Sequence, residues 1–217
     1  MQVELTVPNS WETITLRKYL AYLKDTENYK DNEEAVTAVT LMHFCGIQPE
    51  WLGGININDL NMLKYKLNQF IGNQEHPLQR KIFIDGQAYG FEPNLSTMAY
   101  GAYLDITKWD TFTIDDNWAK IMNILYRPII MEKEGLYTIK PYEGDANYEK
   151  FLDVSMDIHF GSLFFFINLS TDLVNDTLKS MMGMDIPQDM KQTLERNGEV
   201  IQHLLRSQTM TSLDLMK

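Results

Sequence analysis

The stretch Lys81-Ile82-Phe83-Ile84, Asp85-Gly86, Gln87 to Phe91 constrains this chain more than any other. Asp-Gly between two β-prone segments predicts a two-residue type I′ hairpin, because both central residues must accept positive φ. Pro93-Asn94-Leu95 leaves that hairpin, and helical periodicity follows from about Thr97 to Thr107. The pattern then recurs. Ile129-Ile130-Met131, the turn Glu132-Lys133-Glu134-Gly135 and Leu136 to Ile139 predict a second hairpin ending at Pro141. Two topological copies are too few to define a repeat family.

Outside the hairpins the periodicity is mostly helical. Val3, Leu5 and Val7 alternate with polar residues and predict a short strand over residues 2–7, ended by Pro8-Asn9-Ser10. Thr15 can cap a helix with Leu16, Tyr19, Leu20 and Leu23 on one face, followed by a polar loop from Lys24 to Asn32. A helix is predicted from Glu33 to Cys45, stopped by Gly46, and a turn from Pro49 to Gly54. Another helix runs from a cap at Asn58 or Asp59 to Ile71, and a further one from about Asp116 to Tyr126, stopped by Arg127-Pro128. A short helix near Ala146 to Leu152 precedes a long apolar one from about Met156 toward Leu178, broken by Gly183 and Pro187. The last is amphipathic, from about Gln188 to Arg206, with Gly198 costing about 1 kcal/mol against Ala. The expected fold class is helix-rich α+β: a helical body with one or two small antiparallel β-hairpins. Residues 1–217 are read as a single domain, with a candidate docking tail at 207–217.

Charge limits the classes of partner. Lys and Arg number 19 against 30 Asp and Glu, a net of −11, which repels phosphate backbones and disfavours general nucleic-acid binding. Lys64/Lys66 and Arg80/Lys81 are too short to form a basic groove. The lone cysteine, Cys45, excludes an intramolecular disulfide and suits a reducing compartment. The N-terminus has neither a basic start nor an apolar stretch, so no signal peptide is expected. The apolar run from Ile158 to Leu169 is interrupted by His159 and Gly161 and is about half the ~20 residues a membrane span needs. It reads as a buried helix, and no membrane span is expected.

Catalytic and metal-binding patterns are missing. His43, His76, His159 and His203 are far apart, and His43 and Cys45 at i, i+2 point to different faces of a helix. Gly-x-Ser-x-Gly, GxGxxG and GxxxxGK[ST] do not occur. Asp105, Asp110, Asp115 and Asp116 crowd one region but lack the ligand order of a calcium loop, and read as solvated acidic surface. The expectation is therefore a non-enzyme without cofactors that works through protein contacts. Thirteen Met and eleven Tyr fit a soft core and a contact-prone surface, core being the favoured reading. Two segments are candidate contact sites. Phe164, Phe165 and Phe166 lie in a run that is apolar nearly all round, to be buried as core or covered by a partner. Met210, Leu213, Leu215 and Met216 lie in the C-terminal tail.

Several segments together carry a resemblance. They are Pro8-Asn9-Ser10-Trp11 with Ile14-Thr15-Leu16 and Tyr19, and Ile84-Asp85-Gly86 with Tyr89-Gly90-Phe91 and Pro93-Asn94-Leu95. Tyr100-Gly101 with Tyr103-Leu104-Asp105, Ile124-Leu125-Tyr126-Arg127-Pro128-Ile129, and Gly161 with Phe164-Phe165-Phe166 complete the set. Over about residues 1–170 the chain resembles small morphogenesis-module proteins of tailed bacteriophages infecting Bacteroidota, including the crAss-like group. The resemblance implies a virion structural protein of the portal–tail region, or a packaged cargo protein ejected with the genome. The alternative it implies is a non-virion tail-assembly chaperone. Its further implications are other phage structural proteins as partners, an oligomeric assembly, and a place in the virion and in host cytoplasm during assembly. The shared motifs are structural, so no catalytic residue carries over.

Overall fold

The structure is a computed structural model that describes residues 6–72, 76–144 and 146–182. Ser10 opens it by capping a 3-10 turn, Trp11–Thr13, its side chain accepting the Glu12 N–H. Thr15 caps α1 (Leu16–Glu27) as expected, accepting the Lys18 N–H. α1 buries Leu16, Tyr19, Tyr22 and Thr26, while Leu20 and Leu23 pack half-buried beside them. It runs to Glu27, so part of the predicted Lys24–Asn32 loop is helical. Thr26 donates its hydroxyl to the Tyr22 carbonyl at 2.7 Å and is absorbed into the core.

Asn32 caps α2 (Glu33–Cys45), which ends at Gly46 with φ 71°, a left-handed stop that glycine adopts without strain. Pro49 begins α3 (Pro49–Leu52), one helical turn where only a loop turn was expected; proline suits the first helical position because its missing N–H would be unpaired there. α4 (Ile57–Ile71) is capped by Asn56, ahead of the predicted Asn58 or Asp59, and buries Leu67, Phe70 and Ile71.

The two predicted hairpins are one sheet. β1 (Lys81–Ile84), β2 (Gln87–Phe91), β3 (Tyr126–Lys133) and β4 (Leu136–Ile139) form a four-stranded antiparallel sheet in the order β1-β2-β3-β4. β2 joins β3 through Tyr89↔Pro128, Gly90↔Arg127 and Phe91↔Tyr126. Arg127-Pro128 therefore stands inside a central strand rather than merely stopping a helix: α6 (Trp118–Leu125) passes into β3 without a loop. Proline is tolerated here because its carbonyl accepts the Lys140 N–H, so its nitrogen faces the end of β4 and not the β2 ladder. The second turn is Glu134-Gly135, with φ 53° and 79°, which places Glu132 and Lys133 in β3.

Between the hairpins lie a 3-10 turn, Leu95–Thr97, and α5 (Tyr100–Ile106), which starts later than the predicted Thr97. The segment predicted as a short helix near 146–152 is a 3-10 stretch, Tyr148–Asp153, that buries Phe151. α7 (Met156–Met182) then starts beside α1. The Leu16 N–H donates to the Val154 carbonyl at 3.0 Å, and the Met156 N–H to the Ile14 carbonyl at 2.7 Å. The predicted strand at 2–7 falls largely outside the described residues, as do the break at Gly183 and Pro187, the helix Gln188–Arg206 and the tail 207–217.

Trp11 gathers the helices. Its ring centroid lies 5.8 Å from Tyr19, 5.9 Å from Phe44, 4.4 Å from Phe70 and 4.9 Å from Phe160, one aromatic each from α1, α2, α4 and α7. Among the described elements α6 is the most deeply buried, with Trp118, Ile121, Met122, Ile124 and Leu125 wholly enclosed. The fold is helix-rich α+β with one small antiparallel sheet, its helices and strands sharing a continuous apolar core.

Candidate interaction surface

The apolar run of α7 divides by helical period. Phe160, Leu163 and Ile167 are buried, whereas Phe164, Phe165 and Phe166 are half-buried against the same core. Phe164 stacks on His76 with centroids 5.8 Å apart and planes 8° from parallel. Phe165 meets Phe91 of β2 edge-on at 5.2 Å, and Phe166 meets Phe165 at 5.6 Å. The inner edges of these rings are therefore structural. Met210, Leu213, Leu215 and Met216 lie outside the described residues.

Gly161 sets how closely α7 can approach. A Cβ there would stand 2.7 Å from the Pro77 carbonyl oxygen, so the helix crosses residues 76–79 at a separation only glycine allows. His159, next to it, is fully enclosed, and its Nε2 donates to the Phe151 carbonyl at 3.1 Å. Burial holds its pKa down to about 4, so the ring is neutral near pH 7. Tyr126 donates its hydroxyl to the Gln79 carbonyl at 2.7 Å, and burial raises the phenol. These groups tie α7 to the start of β1 and to the Tyr148–Asp153 stretch.

Several of the other candidates for chemistry have structural partners, and His203 lies outside the described residues. His43 Nε2 lies 2.8 Å from Asp25, and burial raises the thiol of half-buried Cys45. Asp110 accepts the Phe112 N–H and the Thr113 hydroxyl, both at 2.8 Å. Asp115 accepts the Asn117 N–H just before α6. Asp105 accepts from Lys108 and from the Tyr142 hydroxyl, which together hold its carboxyl below the usual range. Among the described residues no three His, Cys, Asp or Glu side chains converge as a metal site.

Two features were not read from the sequence. One is a buried ion pair between Arg127 of β3 and Glu92, just past β2. The other is the amount of large apolar side chain left in solvent on two short elements. Tyr100, Tyr103 and Leu104 follow i, i+3, i+4 spacing along α5, and Tyr100 is 74% exposed. On the β3–β4 hairpin, Ile130, Met131 and Leu136 are exposed, Leu136 at 78%. The i, i+3, i+4 pattern was legible, but it marks an apolar face without saying whether another element covers it.

Tyr137 explains why the second hairpin is bare on one side. Its ring lies across Gly90, where a Cβ would come within 2.4 Å of the ring, and its hydroxyl donates to the Phe91 carbonyl at 2.7 Å. Lys81 and Glu132 pair at 2.5 Å, Glu132 standing opposite Tyr137 in the ladder. That face of β4 is thereby committed to β2. By strand alternation Met131, Thr138 and Leu136 belong to the opposite face, and all three are exposed.

No family model matches the chain, and no curated protein or solved structure matches it either. Among the described residues no helix is long and apolar enough to cross a membrane.

Proposed function

We propose that this protein is a virion structural component of a tailed bacteriophage, held in the portal–tail region or packaged as cargo ejected with the genome. It acts through protein–protein contacts and not through catalysis. The carrying observation is the apolar surface of α5 and of the β3–β4 hairpin that no described residue covers, which a part destined to be covered by neighbours needs. The phage-like segments support the same reading. They include Trp11 at the centre of the aromatic cluster, Gly90 beneath Tyr137 and Gly161 beneath Pro77, positions on which this fold depends. A net charge of −11 suits a part that lies near packaged DNA without adhering to it.

The partners are other phage structural proteins. Tyr100, Tyr103, Leu104, Ile130, Met131 and Leu136 supply the described contact surface. The outer edges of Phe164, Phe165 and Phe166 and the tail residues Met210, Leu213, Leu215 and Met216 are the sequence-derived part of it. Mass spectrometry of purified virions beside infected lysate tests the assignment. Peptides of this chain at structural stoichiometry in virions are the expected result. Abundance in lysate with absence from virions would overturn it in favour of the tail-assembly chaperone.

A further inference from the structure

Open sheet edges invite strand addition, and proteins commonly blunt them with charge, proline or a bulge. Among the described residues β4 is an edge strand, and Leu136-Tyr137-Thr138-Ile139 carries no charge and no proline. A two-residue hairpin closes on a hydrogen-bonded pair, here Lys133 with Leu136, so alternate residues of β4 turn their backbone groups to β3. The Lys140 N–H, donating to the Pro128 carbonyl at 2.8 Å, continues that alternation. Tyr137 therefore directs its own N–H and C=O away from β3.

We infer that β4 pairs antiparallel with β4 of a second copy of this chain, centred on Tyr137. A two-fold axis normal to the sheet sets residues of like face opposite each other, so the register can shift only in steps of two. Centring on Tyr137 sets Leu136 opposite the second copy's Thr138 and brings Glu134 alongside the second copy's Lys140. The two side chains are opposite in sign, and symmetry makes the contact twice. Both are exposed, and their contacts within the chain, Glu134 with Lys133 at 3.9 Å and Lys140 with Glu143 at 2.7 Å, yield by side-chain rotation. The next register, centred on Thr138, sets Lys140 opposite the second copy's Leu136 and loses both the Leu136–Thr138 and the Glu134–Lys140 contacts. In the favoured register Leu136 joins a row with the second copy's Thr138 and Met131. The apolar side chains bare in one copy thus share a face with those of the other.

This pairing rests on the proposed assembly role for its purpose, and it names a second copy of the chain as one partner. Sedimentation equilibrium of the full chain, from micromolar to millimolar concentration, is expected to show a monomer–dimer equilibrium. Glu134→Lys sets lysines against each other and Lys140→Glu sets glutamates. Each single exchange is expected to raise the dimer dissociation constant about tenfold, and the double exchange to restore it. Circular dichroism checks that each variant is folded. A wild-type chain that is monomeric throughout overturns the pairing, and so does a dimer whose dissociation constant neither single exchange changes. Virion proteomics fails independently: a dimer missing from virions removes the assembly role and leaves the pairing standing.

Discussion

The two hairpins of this protein have nearly the same turn and opposite surroundings. Asp85-Gly86 has φ 50° and 79°, Glu134-Gly135 has φ 53° and 79°, and both turns join strands in antiparallel register. In the first hairpin Ile82, Ile84, Tyr89 and Phe91 all face the core. Phe165 of α7 packs on Phe91, and Phe151 meets Tyr89 edge-on at 6.0 Å, so the long helix and the 3-10 stretch close that face. In the second hairpin the residues near the turn have no such cover among the described residues. It is held on its other face, where Tyr137 and Ile139 reach Gly90 and Glu132 pairs with Lys81. The same local turn chemistry therefore builds a core element in one place and an exposed one in the other.

The largest test of this contrast is Phe91→Ala. Phe91 is enclosed and meets both Tyr126 and Phe165 at 5.2 Å, so its loss is expected to cost about 3–5 kcal/mol in urea unfolding. A cost below about 1 kcal/mol would show that α7 does not seal the first hairpin.

Acid should act on the same cover. His159 is held neutral by burial with a pKa of about 4, whereas an unfolded histidine titrates near 6.5. The unfolded chain binds the extra proton first, so the stability linked to His159 is complete above about pH 6.5. It is lost as pH falls toward about 4, by something on the order of 3 kcal/mol. Unfolding free energies measured across this range should lose most of that slope in a folded His159→Gln variant.

Gly90→Ala tests the hold on the second hairpin. The new methyl collides with the Tyr137 ring and Ile139, and displacing them is expected to cost about 1–3 kcal/mol. Tyr137→Phe in the same background should then add little, because the hydroxyl will already have left the Phe91 carbonyl. The turns themselves provide a smaller comparison. Gly86→Ala and Gly135→Ala both force a side chain to φ 79°, in open space, and each is expected to cost about 1 kcal/mol. Unequal costs in chemical denaturation would mean that burial, and not turn chemistry alone, sets the strain. The smallest effect is Leu136→Ser. In dilute protein its unfolding free energy should change by no more than about 0.5 kcal/mol, and a larger loss would show the second hairpin to be covered after all.

What the sequence determined is the set of structures that depend on near neighbours. Asp85-Gly86 specifies a turn, Thr15 a cap and Gly46 a stop, because each acts on backbone within a few residues. The Phe160, Leu163, Ile167 face of α7 is likewise a local periodicity that becomes a buried stripe. Only the tertiary structure decided that Tyr126 to Pro128 pairs with β2, which places a proline in a central strand and merges two hairpins into one sheet. It also decided that Phe164 to Phe166 are half in the core, while Tyr100, Met131 and Leu136 stay in solvent. The physical reason is that burial requires a partner from elsewhere in the chain. Phe165 finds Phe91 and Tyr137 finds Gly90 across long stretches of sequence, and Leu136 finds no such cover among the described residues.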